Sequence, residues 1–94
     1  MSNSTRTLVT IATYNEVDNL PRLVEAVLRI LPEADVLVVD DNSPDGTGRW
    51  CDERAAAETR LRCLHRPGKL GLGTAMVAAM RYGIEHDYRY LLNM

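Results

Sequence analysis

Two hydrophobic rhythms trade places along this chain: short apolar runs, and stretches in which apolar residues recur every three or four positions. Thr7 to Thr13, TLVTIAT, is β-branched and apolar and predicts a first strand. Tyr14-Asn15-Glu16 breaks that pattern. Asp18 and Asn19 are helix-start residues, and Pro21 is tolerated only in a first turn, so a helix is predicted to begin near Asn19. Leu20, Leu23, Val24, Val27, Leu28 and Leu31 then form one stripe at helical spacing, and Pro32 ends it. Ala34 to Asp40 predicts a second strand. Its run Val36-Leu37-Val38-Val39 does not alternate with polar residues, as expected of a strand covered on both faces. Pro44, Asp45 and Gly46 make a turn. A second helix follows from about Thr47 to Glu58, with a weaker apolar face of Trp50, Cys51, Ala55 and Ala57. Leu61 to His65 is a short third strand and Arg66 to Gly73 a glycine-rich loop. Leu72 to about Glu85 is a third helix with Leu72, Met76, Ala79, Met80 and Gly83 on one side, and Tyr88 to Met94 a fourth strand.

The order β-α-β-α-β-α-β argues for a parallel α/β sheet with right-handed crossovers. The expected strand order is 3-2-1-4, with a switch point between the first and fourth strands. Ligands of such sheets bind outside the carboxyl ends of the strands. That rule draws attention to the stretch VLVVDDNSPDGTG, Val36 to Gly48, where an apolar strand switches abruptly to Asp40 and Asp41. Both carboxylates are expected to face solvent there. The plain alternative is an Asx-turn that merely ends the strand.

Composition narrows the class without naming a chemistry. Ninety-four residues allow one small domain with a modest core. A net charge of −2 gives no reason to expect nucleic-acid binding. Cys51 and Cys63 lack metal-ligand spacing and read as free thiols of a reducing compartment. The polar start MSNSTRT has no apolar signal region, and no run is long enough to span a bilayer. A soluble, cytoplasmic protein is the expectation.

The loop RPGKLGLG invites a dinucleotide reading, which fails. Met76 stands where the third glycine belongs, and the loop follows the third strand rather than the first. What remains is Lys69 between Gly68 and Gly71 before a helix N-terminus, a combination that suits an anion such as a pyrophosphate, or an ordinary loop with a solvated lysine. Tyr14 and Glu16 close the first strand. A tyrosine there can stack on a base and a carboxylate can accept from ribose or base groups, although partial burial and helix-dipole complementarity explain each alone. His65 and His86 read as structural or solvated.

Taken together, TIATYNEVDNLPRLVEAV, VLVVDDNSPDGTG, HRPGKLGLGTAM and YLLNM resemble the amino-terminal half of a family 2 glycosyltransferase. The likeness is greatest to the polyprenol-phosphate (dolichol-phosphate) mannosyltransferases. It runs from about Thr7 to Met94 and implies a GT-A fold, a Rossmann-like nucleotide-sugar domain. It implies that Tyr14 and Glu16 hold the nucleoside, that Val39 and Asp41 contact the base and ribose region, and that Lys69 lies near the nucleotide. Ala12 stands where the family usually has a proline lining the nucleoside pocket. The implied cofactor is Mg²⁺ or Mn²⁺, held by an Asp-x-Asp expected just after Met94. The implied donor is GDP-mannose, with a UDP-sugar as the variant. The implied acceptor is a polyprenyl phosphate, which would bring the protein to the cytoplasmic face of a membrane. On this reading the 94 residues are a truncated GT-A half, inactive alone and able to self-associate through the exposed fourth strand. A nucleotide-binding module without transferase activity, or a doubly wound domain whose acids only form turns, are the alternatives.

Overall fold

A computed structural model of the protein describes residues 6–68 and 72–94. The elements alternate as the pattern predicts: β1 (Thr7–Thr13), α1 (Leu20–Ile30), β2 (Asp35–Asp40), α2 (Thr47–Ala57), β3 (Leu61–His65), α3 (Leu72–Glu85) and β4 (Tyr90–Asn93). All pairings are parallel and the sheet order is β3-β2-β1-β4, as expected. Leu8 to Thr13 pair with Asp35 to Asp40, which aligns the carboxyl ends of the two central strands.

Strand pleating divides the core in two. Val9, Ile11, Val36 and Val38 face α1 and α2, where they meet Leu20, Val24, Val27, Leu28 and Cys51. Leu8, Leu37 and Val39 face the other way, onto Ala75 and Ala79 of α3. The uninterrupted apolar run of β2 is thus explained: both of its faces are covered. Helix α1 begins with Pro21 in its first turn. Its last carbonyls, those of Leu28 and Pro32 in the following turn, accept hydrogen bonds from the Arg60 guanidinium at 2.7 and 2.8 Å.

The fourth strand starts at Tyr90, two residues later than predicted. The end of α3 takes those residues. Asp87 adopts φ 64°, the Tyr88 N–H donates to Gly83 O (2.9 Å) and the Asp87 N–H to Ile84 O (3.3 Å). This is a Schellman stop with aspartate in the left-handed position. It leaves the Tyr88 ring beneath the Arg6 guanidinium at 3.9 Å, and both side chains bond to Asp35. Burial and the hydrogen bond to Asp35 raise the Tyr88 pKa.

Two predicted apolar faces are corrected. On α2, Cys51 is buried and Trp50 and Ala55 pack beside it, but Ala57 is exposed in the last turn. On α3, Ala79 and Gly83 do face the sheet, together with Ala75, while Met76 and Met80 are 40% and 52% exposed. The reason is close approach: a Cβ on Gly83 would lie 2.9 Å from Leu91 Cδ1. The helix rests on its small residues, so the methionines, one position on, turn outward.

Candidate functional site

The carboxyl ends of β1 and β2 lead into two loops, 14–19 and 41–46, and the second loop holds the first in place. Ser43 Oγ accepts from the Asn15 N–H (2.9 Å), Thr47 Oγ1 from the Glu16 N–H (3.1 Å) and Asp45 Oδ2 from the Val17 N–H (3.2 Å). Asn15 and Asn42 take left-handed backbone conformations, φ 54° and 58°, which asparagine tolerates better than most residues. Gly46, at φ 93°, makes the last turn before α2. The Asp45 carboxyl also accepts from the Thr47 hydroxyl and N–H, and these bonds, the hydroxyl first, hold its pKa below the usual range. Asp-Gly-Thr is therefore a bracket for the first loop as well as a turn.

Within this frame Tyr14 is 37% exposed at the rim. Glu16 is exposed too, and its side chain accepts from Asn19 Nδ2 at 3.1 Å while its carbonyl caps the start of α1. Ala12 and Val39 are register partners on the α3 side of the sheet. Ala12 is half-buried, and the Val39 side chain is enclosed beneath α3. Lys69 lies outside the described residues.

Asp40 and Asp41 do not face solvent as expected; they are 2% and 7% exposed. Nor do they act together, because successive residues at a strand end point to opposite faces. Asp41 turns toward α3, where the Arg66 guanidinium grips both carboxylate oxygens, Nε to Oδ1 at 2.6 Å and Nη2 to Oδ2 at 2.9 Å. Arg66 Nη1 continues to Thr74 Oγ1 in the first turn of α3 (2.9 Å), and the Arg66 N–H donates to Asp40 O (2.8 Å). The pair raises the Arg66 pKa. Asp40 turns toward α2. It accepts from the Ser43 hydroxyl (2.6 Å) and N–H (3.2 Å), and lies 3.9 Å from His65 Nδ1.

Tyr14, Glu16, Ala12 and Asp41 are thus gathered at the carboxyl ends of β1 and β2, with Asp41 already tied to a cation. Sequence reasoning missed Arg66, Ser43 and Thr47. The available signal was the arginine directly after β3, opposite the paired aspartates in any parallel sheet of this order.

Parallel α/β sheets of this kind take their ligands at the carboxyl ends of the strands, where these two loops sit. The match to the model for "Glycosyl transferase family 2" covers residues 8–93, and the chain belongs to that family. It is 49% identical over 89 residues to an undecaprenyl-phosphate mannosyltransferase of Micrococcus luteus, covering 95% of this chain and 37% of the relative. It is 48% identical over 90 residues to a polyprenol monophosphomannose synthase of Mycolicibacterium smegmatis, covering 95% of this chain and 34% of the relative. Among solved structures it resembles the mannosyltransferase PcManGT from Pyrobaculum calidifontis, in complex with GDP-Man and Mn²⁺. There the TM-score is 0.64 at 27% identity, over 82% of this chain and 24% of that one. The chain spans about a third of the length of these curated relatives.

Mn²⁺ and Mg²⁺ favour oxygen donors. Among the described residues the one group of three or more candidate ligands is Asp52, Cys63 and His65, a mixed O, S and N set beside β3. It does not fit the metal that the family implies.

Proposed function

We propose that this chain carries the nucleoside-binding part of a mannosyltransferase that moves a mannosyl group from GDP-mannose to a polyprenyl phosphate. The observation that carries the reading is the placement of Tyr14, Glu16 and Asp41 at the aligned carboxyl ends of β1 and β2. The family and the printed activities of the relatives support it.

Tyr14 offers a ring face to a base. Glu16 and Asp41 offer acceptors to ribose hydroxyls or base N–H groups. Arg66 fixes the plane of the Asp41 carboxylate, so that its outer lone pairs are aimed before a ligand arrives, and its charge suits the neighbourhood of a diphosphate. Lys69, from the glycine loop, is proposed as a further cation there. In the reaction a phosphate oxygen of the acceptor attacks the anomeric carbon in line, the carbon–oxygen bond to the diphosphate breaks, and GDP leaves with the electron pair. The configuration inverts. The attacking phosphate is already anionic, so no strong general base is required. A polyprenyl acceptor places the work at a membrane surface. No helix among the described residues is long and apolar enough to cross one.

Calorimetric titration with GDP and with UDP tests the reading. GDP is expected to bind, more tightly than UDP, and Tyr14→Ala and Asp41→Asn are each expected to weaken it tenfold or more with the fold intact. Unchanged affinity in both variants would remove the site from these loops.

A further inference from the structure

Two members of the group that does not fit Mn²⁺, Cys63 and His65, suit another class of ion. It lies on the α2 face of the sheet, opposite the face onto which Asp41 and Arg66 turn. Cys63 and His65 are two apart on β3 and therefore project to the same side. Cys63 Sγ lies 4.0 Å from His65 Nδ1. Asp40 Oδ2 lies 3.9 Å from the same nitrogen. On the far edge of the ring, His65 Nε2 meets both oxygens of Asp52, at 2.8 and 3.0 Å. A carboxylate only accepts, so His65 Nε2 carries a proton toward Asp52, and Nδ1 faces Cys63 and Asp40. This is the arrangement of metal-bound histidines, one nitrogen to the ion and the other donating to a carboxylate.

The spacing is close to that of a coordinated ion. Nitrogen and sulfur ligands of tetrahedral zinc lie about 3.5 Å apart, given bond lengths of about 2.0 and 2.3 Å. The observed gap therefore needs to close by only about half an ångström. The room between the ligands exists because position 48 is glycine. A Cβ there would stand 2.9 Å from Asp40 Oδ2 and 3.3 Å from His65 Nδ1, inside the space they share. A glycine in the first turns of a helix costs about 1 kcal/mol relative to alanine, and this one is buried. His65 is 46% exposed and lines one open cleft with Asp40, Gly48, Arg49, Asp52 and Glu53, while Cys63 is half-buried. Asp52 and Asp40 put negative charge around Cys63. The same negative potential draws a cation, and a bound ion displaces the thiol proton.

We propose that Cys63 Sγ and His65 Nδ1, with Asp52 orienting the imidazole and Asp40 beside the same nitrogen, bind one soft divalent cation of the zinc class and fasten α2 and the loop after β2 to β3. Thiolate and imidazole donors select such an ion over Mg²⁺ or Mn²⁺.

Titration of the metal-free, reduced protein with Cd²⁺ and Co²⁺, followed by absorbance, tests this. A thiolate charge-transfer band saturating at one ion per chain is expected, displaced by Zn²⁺ and not by equal Mn²⁺. Cys63→Ser should abolish the band and Cys51→Ser should leave it. Asp52→Asn should weaken binding by about 10–100-fold. No thiolate band in the unaltered protein would overturn the proposal. So would a band that survives Cys63→Ser, or one that Mn²⁺ displaces as well as Zn²⁺. None of these ligands belongs to the proposed nucleotide loops, so failure here leaves that reading standing.

Discussion

Asp40 and Asp41 are neighbours in sequence with separate surroundings, and their substitutions should separate too. Asp41 faces the proposed nucleotide side, held by Arg66. Asp41→Ala is expected to weaken GDP binding by roughly 1.5–3 kcal/mol, the worth of a charge-assisted hydrogen bond. Asp40→Ala strands the Ser43 hydroxyl and N–H, and should lower the melting temperature while leaving GDP affinity nearer to its original value. Calorimetry giving the reverse ranking, with both variants folded, would sink the assignment. Asp45 makes a pH prediction. Its folded pKa lies below the ordinary value, so its stabilising effect is complete above the unfolded carboxylate pKa of about 3.9 and is lost as pH falls through the folded value. Unfolding followed between pH 5 and 2 should show a shallower acid loss in Asp45→Asn; identical profiles would place the acid sensitivity elsewhere.

At the scale of elements, the least comfortable stop is the end of α3. Asp87 sits in the left-handed region that a Schellman stop normally gives to glycine. Asp87→Gly should relieve that strain and stabilise the protein by about 0.5–1 kcal/mol, read as a higher denaturant midpoint. A lower midpoint would mean that the Asp87 side chain itself contributes at this corner. The loops after β1 and β2 form the other composite element. Ser43, Asp45 and Thr47 supply the acceptors that the first loop needs, so Thr47→Val should disturb Glu16, 31 positions away, more than its own helix. Amide exchange of Glu16, faster in the variant than in the unaltered protein, is the expected signature.

Among the described residues, much of the exposed apolar surface lies on α3 and β4. Met76, Met80 and Ile84 of α3 and Leu91 of β4 line one groove. Leu92 and Ile30 line another on the opposite face. Among the described residues strand β4 pairs with β1 alone, so its outer edge carries N–H and C=O groups without a strand partner there. The 94-residue chain is therefore expected to self-associate through this corner, and Leu92→Lys should reduce the association. Light scattering at rising concentration decides it; a monomer at high concentration would mean that the edge is protected by something other than apolar cover.

The sequence by itself determined the framework: seven elements, the strand order β3-β2-β1-β4, and the end of the sheet at which to look for a site. Those follow from local periodicity, proline and turn chemistry, and the handedness of parallel crossovers, all of which act within one element or one connection. It also placed Tyr14, Glu16 and Asp41 just past the carboxyl ends of the two central strands. The tertiary structure alone decided which partner each side chain has. That Asp40 and Asp41 diverge, that Arg66 closes on Asp41 across 25 residues, and that Gly48 makes room for His65 and Asp40 depend on how strands and helices are brought side by side. The misplaced face of α3 has the same cause. Periodicity says that a helix has an apolar side, but Met76 and Ala75 are both apolar. Only the distance at which the helix meets the sheet chooses the alanines for the interior.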